Sequence, residues 1–278
     1  MALPDYLIKK APKSQSINKI RALLGDPAIH TVCESAKCPN IGECFSKNTL
    51  TFMILGKVCT RSCAFCGVGK GAPQPVDPDE PEKIREAVLK LGLDYVVVTS
   101  VTRDDLPDFG AEQFARVITA LSGKKVEVLI PDFQGDEAAL QKVIDASPLV
   151  INHNVETIPS LYRSIRPQAV FERSLELLLR VKKSGICAKS GFMVGLGEED
   201  EDVFNLILRL NKTGLDMVTI GQYLPPSRLH PKPKRFVAPE KFMEYKVYGE
   251  SLGIKKVEAG PFVRSSFHAE ETWKKLSD

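Results

Sequence analysis

The chain lacks any apolar run near the ~20 residues needed to cross a bilayer; its densest stretch, YVVV at 95–98, has the length of a short strand. It also lacks an excess of either charge. Thirty-eight Lys and Arg against 35 Asp and Glu leave +3, which excludes a general electrostatic grip on nucleic acid. The opening MALPDYLIKKAPKSQ has no apolar core of the secretory kind, so the expected setting is reducing and cytoplasmic, with a mature organellar form as the alternative. A disulfide framework is excluded as well. The cysteines number seven, an odd count, and six of them crowd between residues 33 and 66 while Cys187 stands apart. In a reducing compartment such a cluster points to metal or redox chemistry.

What is present is an ordinary globular composition, 43% hydrophobic and 26% charged, in 278 residues that allow one large domain or two small ones. After the cysteine region, apolar runs alternate with amphipathic stretches. Strands are expected at 51–56, 95–99, 126–130, 149–152, 188–194 and 217–220, with a short terminal one at 254–258. Helices are expected at 82–91, 111–121, 137–145, 171–183, 202–211 and 240–252, that over 171–183 presenting Leu175, Leu178, Leu179 and Lys182 at period 3.6. About six strand–helix repeats with near-continuous apolar strands mean an α/β fold whose parallel sheet is covered on both faces. A partial barrel and a doubly wound open sheet both fit this pattern, and both bind ligands at the carboxyl ends of strands. Residues 1–48 form an N-terminal extension, 49–253 the repeat, and 254–278 a short C-terminal segment.

The second cysteine triplet, Cys59-Thr-Arg-Ser-Cys63-Ala-Phe-Cys66, follows the first strand. Three thiolates within eight residues can ligate three corners of an iron–sulfur cube and leave the fourth iron open. Structural zinc prefers four ligands from the chain, and a dithiol pair would leave Cys59 without a task. The glycines of Gly67-Val-Gly-Lys-Gly71 permit close backbone approach to a cofactor. The first triplet, Cys33, Cys38 and Cys44, has wider spacing and precedes the repeat. A second cluster is favoured because this set also stops at three; zinc completed by a distant ligand such as His30 is the alternative.

Cys59, Cys63, the aromatic Phe65 and Cys66 resemble the signature of the radical S-adenosylmethionine (SAM) superfamily. The resemblance implies a partial (β/α)6 TIM-type barrel. It also implies a 4Fe-4S cluster whose open iron takes the amino and carboxylate groups of SAM, with cleavage to a 5′-deoxyadenosyl radical. A narrower resemblance, to the lipoyl synthase family, covers roughly residues 28 to 270. It rests on His30-Thr-Val-Cys33, Cys38-Pro-Asn40 and Glu43-Cys44, and on Thr99-Ser-Val-Thr-Arg-Asp-Asp105 and Asn152-His-Asn-Val-Glu-Thr157. It also includes Arg166-Pro167, Lys189-Ser-Gly191, Met193-Val-Gly-Leu-Gly-Glu198, Gly221-Gln-Tyr-Leu-Pro-Pro-Ser227 and Gly260-Pro-Phe-Val-Arg-Ser-Ser266.

That family likeness implies insertion of two sulfurs, at C6 and C8, into an octanoyl chain on a lysine of a lipoyl carrier domain or H-protein, with two SAM consumed. It implies a second, auxiliary 4Fe-4S cluster that is itself the sulfur source, held by Cys33, Cys38, Cys44 and Ser266, with Ser265 as the fallback. Where the family usually has Tyr after the two serines, this chain has Phe267. An electron-donor protein and an iron–sulfur carrier are further implied partners; nucleic acid and membrane are not. Asn154, Glu156 and Arg166 are candidates for SAM contacts, with plain caps and turn formers as the alternative. The nearest rival is a biotin synthase-like radical enzyme, and the rival from another class a zinc-binding interaction module.

Three features carry blander expectations. Cys187 reads as a small buried hydrophobe. The acid run at 198–202 reads as a solvated helix start. The basic loop with Arg228, His230, Lys232, Lys234 and Arg235 reads as surface, or as a dock for an acidic carrier domain. His153 and Trp273 suggest no role.

Overall fold

A computed structural model of the chain describes residues 3–9, 14–26 and 28–277. Its main strands are β1 (Thr51–Ile54), β2 (Tyr95–Ser100), β3 (Lys125–Leu129), β4 (Val150–Asn152), β5 (Cys187–Val194), β6 (Met217–Gln222) and β7 (Lys256–Gly260). Helix α1 (Ser14–Leu24) precedes them. Helices α2 (Glu80–Leu91), α3 (Ala111–Ala120), α4 (Glu137–Asp145), α5 (Phe171–Lys183), α6 (Asp200–Asn211) and α7 (Pro239–Ser251) each follow a strand, and α8 (Ala269–Ser277) ends the chain. Six strand–helix pairs thus run in order, the number that a partial (β/α)6 barrel of the α/β class requires. Among the described residues no helix is long and apolar enough to cross a membrane.

The chain divides into two compact units, Lys10–Ser62 with Gly67–Ile151, and Met1–Lys9 with Cys63–Cys66 and Asn152–Asp278. In the first, β1 pairs parallel with β2 and β2 with β3, so that Val97 lies between Thr51 and Glu127. Val96 and Val98 are fully buried and Val97 nearly so, because a parallel sheet covers both faces of its strands. Two residues, His30–Thr31, add an antiparallel edge to β1. Helix α2 begins at Glu80 rather than 82, since Glu80 and Pro81 suit a helix's first turn, and it stops at Gly92, which takes the left-handed φ of 66°. Helix α3 packs between α2 and α4.

In the second unit, β6 runs parallel to both β5 and β7, and Thr219 lies between Gly191 and Glu258. Helix α5 has the expected limits but a different buried face: Phe171, Ser174, Leu177, Leu178 and Val181 point inward, while Leu179 is exposed. Ser174 is drawn in by His153, whose Nε2 lies 2.9 Å from its hydroxyl. This bond also gives the buried His153 its place, as a link between the end of β4 and the helix layer. Helix α6 starts two residues early on a capping box formed by Glu199 and Asp202.

Candidate functional site

The first triplet is built by short helical turns. Thr31 caps the turn Val32–Ser35 by accepting the Glu34 N–H, and Arg21 of α1 binds the Glu34 carboxylate at 2.8 Å. Cys38 donates its N–H to the Cys33 carbonyl, and the Cys44 carbonyl accepts both the N–H and the hydroxyl of Thr49. Cys33 is buried. Burial first, and then the neighbouring Cys38 and Cys44 thiols, push its pKa up to about 12. The buried Cys33 thiol therefore resists ionisation, and a bound cation is what would stabilise its thiolate. Among the described residues none of the seven cysteines is joined in a disulfide. Among the described residues no three His, Cys, Asp or Glu side chains close on the position of a single ion.

Cys59 sits in the first unit on the two-residue strand Val58–Cys59, paired with Gly69–Lys70. Its Sγ accepts backbone N–H groups from Arg61 at 3.4 Å and Thr102 at 3.3 Å. Donors of this kind are what a thiolate bonded to iron uses to spread its charge. The scaffold is the 99–105 segment: Thr60 N–H and Oγ1 both donate to the Thr102 carbonyl, and Asp104 N–H returns a bond to Thr60 Oγ1. Arg61 is buried and binds Asp104 bidentately at 2.7 and 2.9 Å and Asp132 at 2.6 Å. Burial alone would lower its pKa, but the two carboxylates more than offset that and keep the guanidinium charged. Sequence reading missed Arg61, Asp104 and Asp132.

Cys63–Cys66 belongs to the second unit. The Ala64 N–H bonds the Ile165 carbonyl, and Ala64 and Phe65 pack against Ile165, Leu196 and Tyr223. Cys66 N–H reaches the Cys63 carbonyl at 3.3 Å, and His230 Nε2 lies 3.1 Å from the Cys66 carbonyl.

The same unit brings together Asn154, Glu156, Arg166 and the serine motif. Asn154 Nδ2 donates to Ser265 Oγ at 2.6 Å and to Glu156 Oε1 at 3.1 Å, while its buried Oδ1 has no partner among the described residues. Glu156 holds a left-handed φ of 65°, with its N–H on the Gly191 carbonyl and its own carbonyl accepting from Met193. A non-glycine residue in that conformation is held there by its surroundings. Desolvation raises the Glu156 pKa against the pull of Arg166, Asn154 and Arg264. Arg166 Nη1 donates to the carbonyls of Asn154 and Val155. Gly191 leaves room for this cluster, since a Cβ there would stand 2.3 Å from Thr219 Oγ1 and 2.9 Å from Asn154 Oδ1. Gly221 likewise admits the Val263 carbonyl, which a Cβ would meet at 2.1 Å. Phe267, without the phenol hydroxyl, lies under Lys9 Nζ at 5.4 Å.

Two bland expectations are corrected here. Glu198 is no solvated acid: it is buried, and its carboxylate accepts the N–H groups of Gly195, Leu196 and Gly197. The turn, not the helix dipole, claims it. Cys187 is half-buried at the start of β5 rather than fully enclosed.

The Radical SAM superfamily profile matches residues 53–210. "Lipoyl synthase" of Caldicellulosiruptor saccharolyticus is 54% identical over 277 residues, covering 98% of this chain and 97% of its own. That of Nitratidesulfovibrio vulgaris is 52% identical over 280 residues, covering 99% and 94%. Among solved structures, methylornithine synthase (PylB) superposes with a TM-score of 0.56 at 15% identity over 91% of this chain and 80% of that one. The FeFe-hydrogenase maturase HydG from Carboxydothermus hydrogenoformans gives 0.53 at 12% over 96% and 72%.

Proposed function

The chain belongs to the lipoyl synthase family of the radical SAM superfamily, and from that premise we propose how its residues divide the work. The family's reaction is radical insertion of sulfur at C6 and C8 of an octanoyl chain borne by a carrier protein. Such C–H bonds offer no acidic proton and no leaving group, so acid–base catalysis has nothing to act on. The cluster and SAM, when bound, supply hydrogen abstraction by a carbon radical. The protein supplies placement.

In our reading Cys59, Cys63 and Cys66 hold the SAM-binding cluster, and Cys33, Cys38 and Cys44 with Ser266 hold the auxiliary one. The donor sets fit. The N–H groups aimed at Cys59 Sγ suit an iron-bound thiolate, and the sequence-local turns that carry Cys33, Cys38 and Cys44 offer three thiols from one short segment. We take Ser266 as the oxygen ligand, with Ser265 as the fallback, from the family likeness of the Arg264-Ser265-Ser266 motif, and Ser265 Oγ accepts from Asn154 Nδ2. An alkoxide is a harder and less usual partner for iron than thiolate, so Ser266 would be the ligand that releases a bound cluster most readily. The unpartnered Asn154 Oδ1, close to Glu156, suits the ammonium or hydroxyl donors of SAM. Arg166 holds the turn that carries both. Phe65 fixes the cysteine turn by packing on Leu196 and Tyr223.

For the carrier, which we take to be a lipoyl domain or H-protein in the cytoplasm, the 228–235 loop offers a dock. Leu229 stands 96% exposed beside Arg228 and Lys232, a fit for an acidic surface with an apolar contact. Arg235 takes no part in it, being bound to Asp200. An electron-donor protein and an iron–sulfur carrier complete the cycle.

The observation that carries this reading is a pair of cysteine triplets, each stopping at three, in a chain matched end to end by its relatives. The test is anaerobic turnover of an octanoyl-lysine peptide with reductant and SAM, read by mass. A gain of two sulfurs with two SAM cleaved is expected; SAM cleavage without sulfur gain in the iron-loaded protein would overturn it.

A further inference from the structure

We propose that His230 is a positioning residue for the SAM-cluster loop, donating from Nε2 to the carbonyl of Cys66. The inference rests on the reading that Cys66 is a ligand of that cluster. A carbonyl oxygen accepts and never donates, so the 3.1 Å contact requires the proton on Nε2. The other ring nitrogen lies 2.9 Å from Ser227 Oγ, and that hydroxyl also accepts the Leu229 N–H at 3.2 Å. With Nε2 protonated, the neutral ring has only a lone pair to offer at Nδ1, so the Ser227 hydroxyl donates to it. Every hydrogen is then accounted for by one arrangement: Leu229 N–H to Ser227, Ser227 O–H to Nδ1, and Nε2–H to Cys66. The partner of one nitrogen fixes the protonation of the other, and here the chain of donors starts in the backbone.

The mount that carries His230 is stiff. Gln222 is fully buried, and the two hydrogens of its Nε2 are shared among the carbonyls of Val194, Tyr223 and Arg235, all within 3.2 Å, while its Oε1 accepts from Val237 N–H. Tyr223 Oη donates to the Pro231 carbonyl at 2.9 Å, and Lys234 N–H bonds the Gly195 carbonyl. Gly195 is needed there, because a Cβ would stand 2.2 Å from Gln222 Nε2 and 2.6 Å from the Arg235 carbonyl. The loop is therefore pinned on both sides of the imidazole. A donor fixed in this way can set the peptide plane after Cys66 and so the aim of its sulfur, as outer partners of metal ligands commonly do.

The test compares His230→Ala, His230→Gln and Ser227→Ala with the wild type, each loaded anaerobically with iron and sulfide. For His230→Ala we expect an altered electron paramagnetic resonance signal of the reduced, SAM-bound cluster and SAM cleavage slower by roughly 10–100-fold. His230→Gln, whose amide N–H can reach the same carbonyl, should recover most of both. Ser227→Ala should give a smaller loss, about 2–5-fold, because only the preference between tautomers is weakened. A His230→Ala spectrum and cleavage rate within twofold of wild type would sink the proposal, as would a glutamine variant no better than alanine. Should the alanine variant fail to fold, the glutamine and Ser227 variants still decide: glutamine as impaired in spectrum as a Cys66→Ala control overturns it. Failure of the wild type to take up iron would instead break the underlying reading of Cys59, Cys63 and Cys66.

Discussion

The two cysteine triplets look alike in sequence and are supported in different ways. The first rests on local structure: a threonine cap, two short helical turns and a threonine that claims the Cys44 carbonyl. The second is held by residues far away in sequence. Thr102 donates to Cys59, Arg61 is clamped by Asp104 and Asp132, and Cys63–Cys66 leans on Ile165 and His230. A site braced from several strands keeps its shape when its guest is reduced and reoxidised. In the proposed reading, a triplet built on short turns is the one suited to give up part of its guest and be refilled. That contrast supports the proposed division between a cluster that persists and one that is spent.

The sharpest way to break this comparison is to remove one thiol from each triplet. Cys63→Ala should abolish SAM cleavage and sulfur insertion together. Cys38→Ala should abolish insertion but leave cleavage within a few fold, read by 5′-deoxyadenosine release. Loss of cleavage in Cys38→Ala with the SAM-binding cluster intact would mean the two triplets do not divide the work.

Next in size is the brace beneath Cys59. Arg61→Ala leaves the fully buried Asp132 without its cation, and breaking a buried pair from one side costs about 3–5 kcal/mol. Denaturant unfolding should show that loss, and Arg61→Lys should recover only part of it, since one ammonium cannot serve Asp104 bidentately and Asp132 at once. An exposed arginine between two cysteines would have cost nothing.

Asn154→Ala tests the serine end. It frees Ser265 and removes a partner of Glu156, so iron should leave the auxiliary cluster for a chelator roughly tenfold faster. The Cys33, Cys38 and Cys44 thiols would still be present, and SAM affinity should fall with it. Unchanged chelation and unchanged affinity would remove Asn154 from both sites.

The repeat was legible because parallel strands buried on both faces read as unbroken apolar runs, as at 95–98. The cysteines were legible because thiolate chemistry demands fixed spacing. What hid was polar and buried. Arg61 is enclosed by the carboxylates of Asp104 and Asp132, Glu198 by the N–H groups of the turn just before it and Gln222 by carbonyls from other segments, while half-buried His230 reaches the Cys66 carbonyl. The face of α5 hid for a related reason: Ser174 turned inward to meet His153, while Leu179 was left outside. A hydrophobic period cannot anticipate a hydrogen bond made to another element.

Glu80 sharpens the same point at the smallest scale. Its carboxylate is buried at the start of α2, accepting the Leu55 N–H at 3.1 Å, just past β1, and Gln113 Nε2 at 2.8 Å. Burial raises its pKa above the usual glutamate value, although Gln113 and the backbone donors pull it down. The folded state therefore favours the protonated acid more than the unfolded chain does. That contribution is fully present below the ordinary pKa of about 4.3 and is lost as pH rises through the raised value. Glu80→Gln keeps the shape and a neutral amide at every pH. The variant should match the wild type near pH 4 and gain relative to it toward pH 7, by about 1 kcal/mol, in unfolding curves taken across that range. A gain of equal size at every pH would mean that packing, and not the proton, sets the difference.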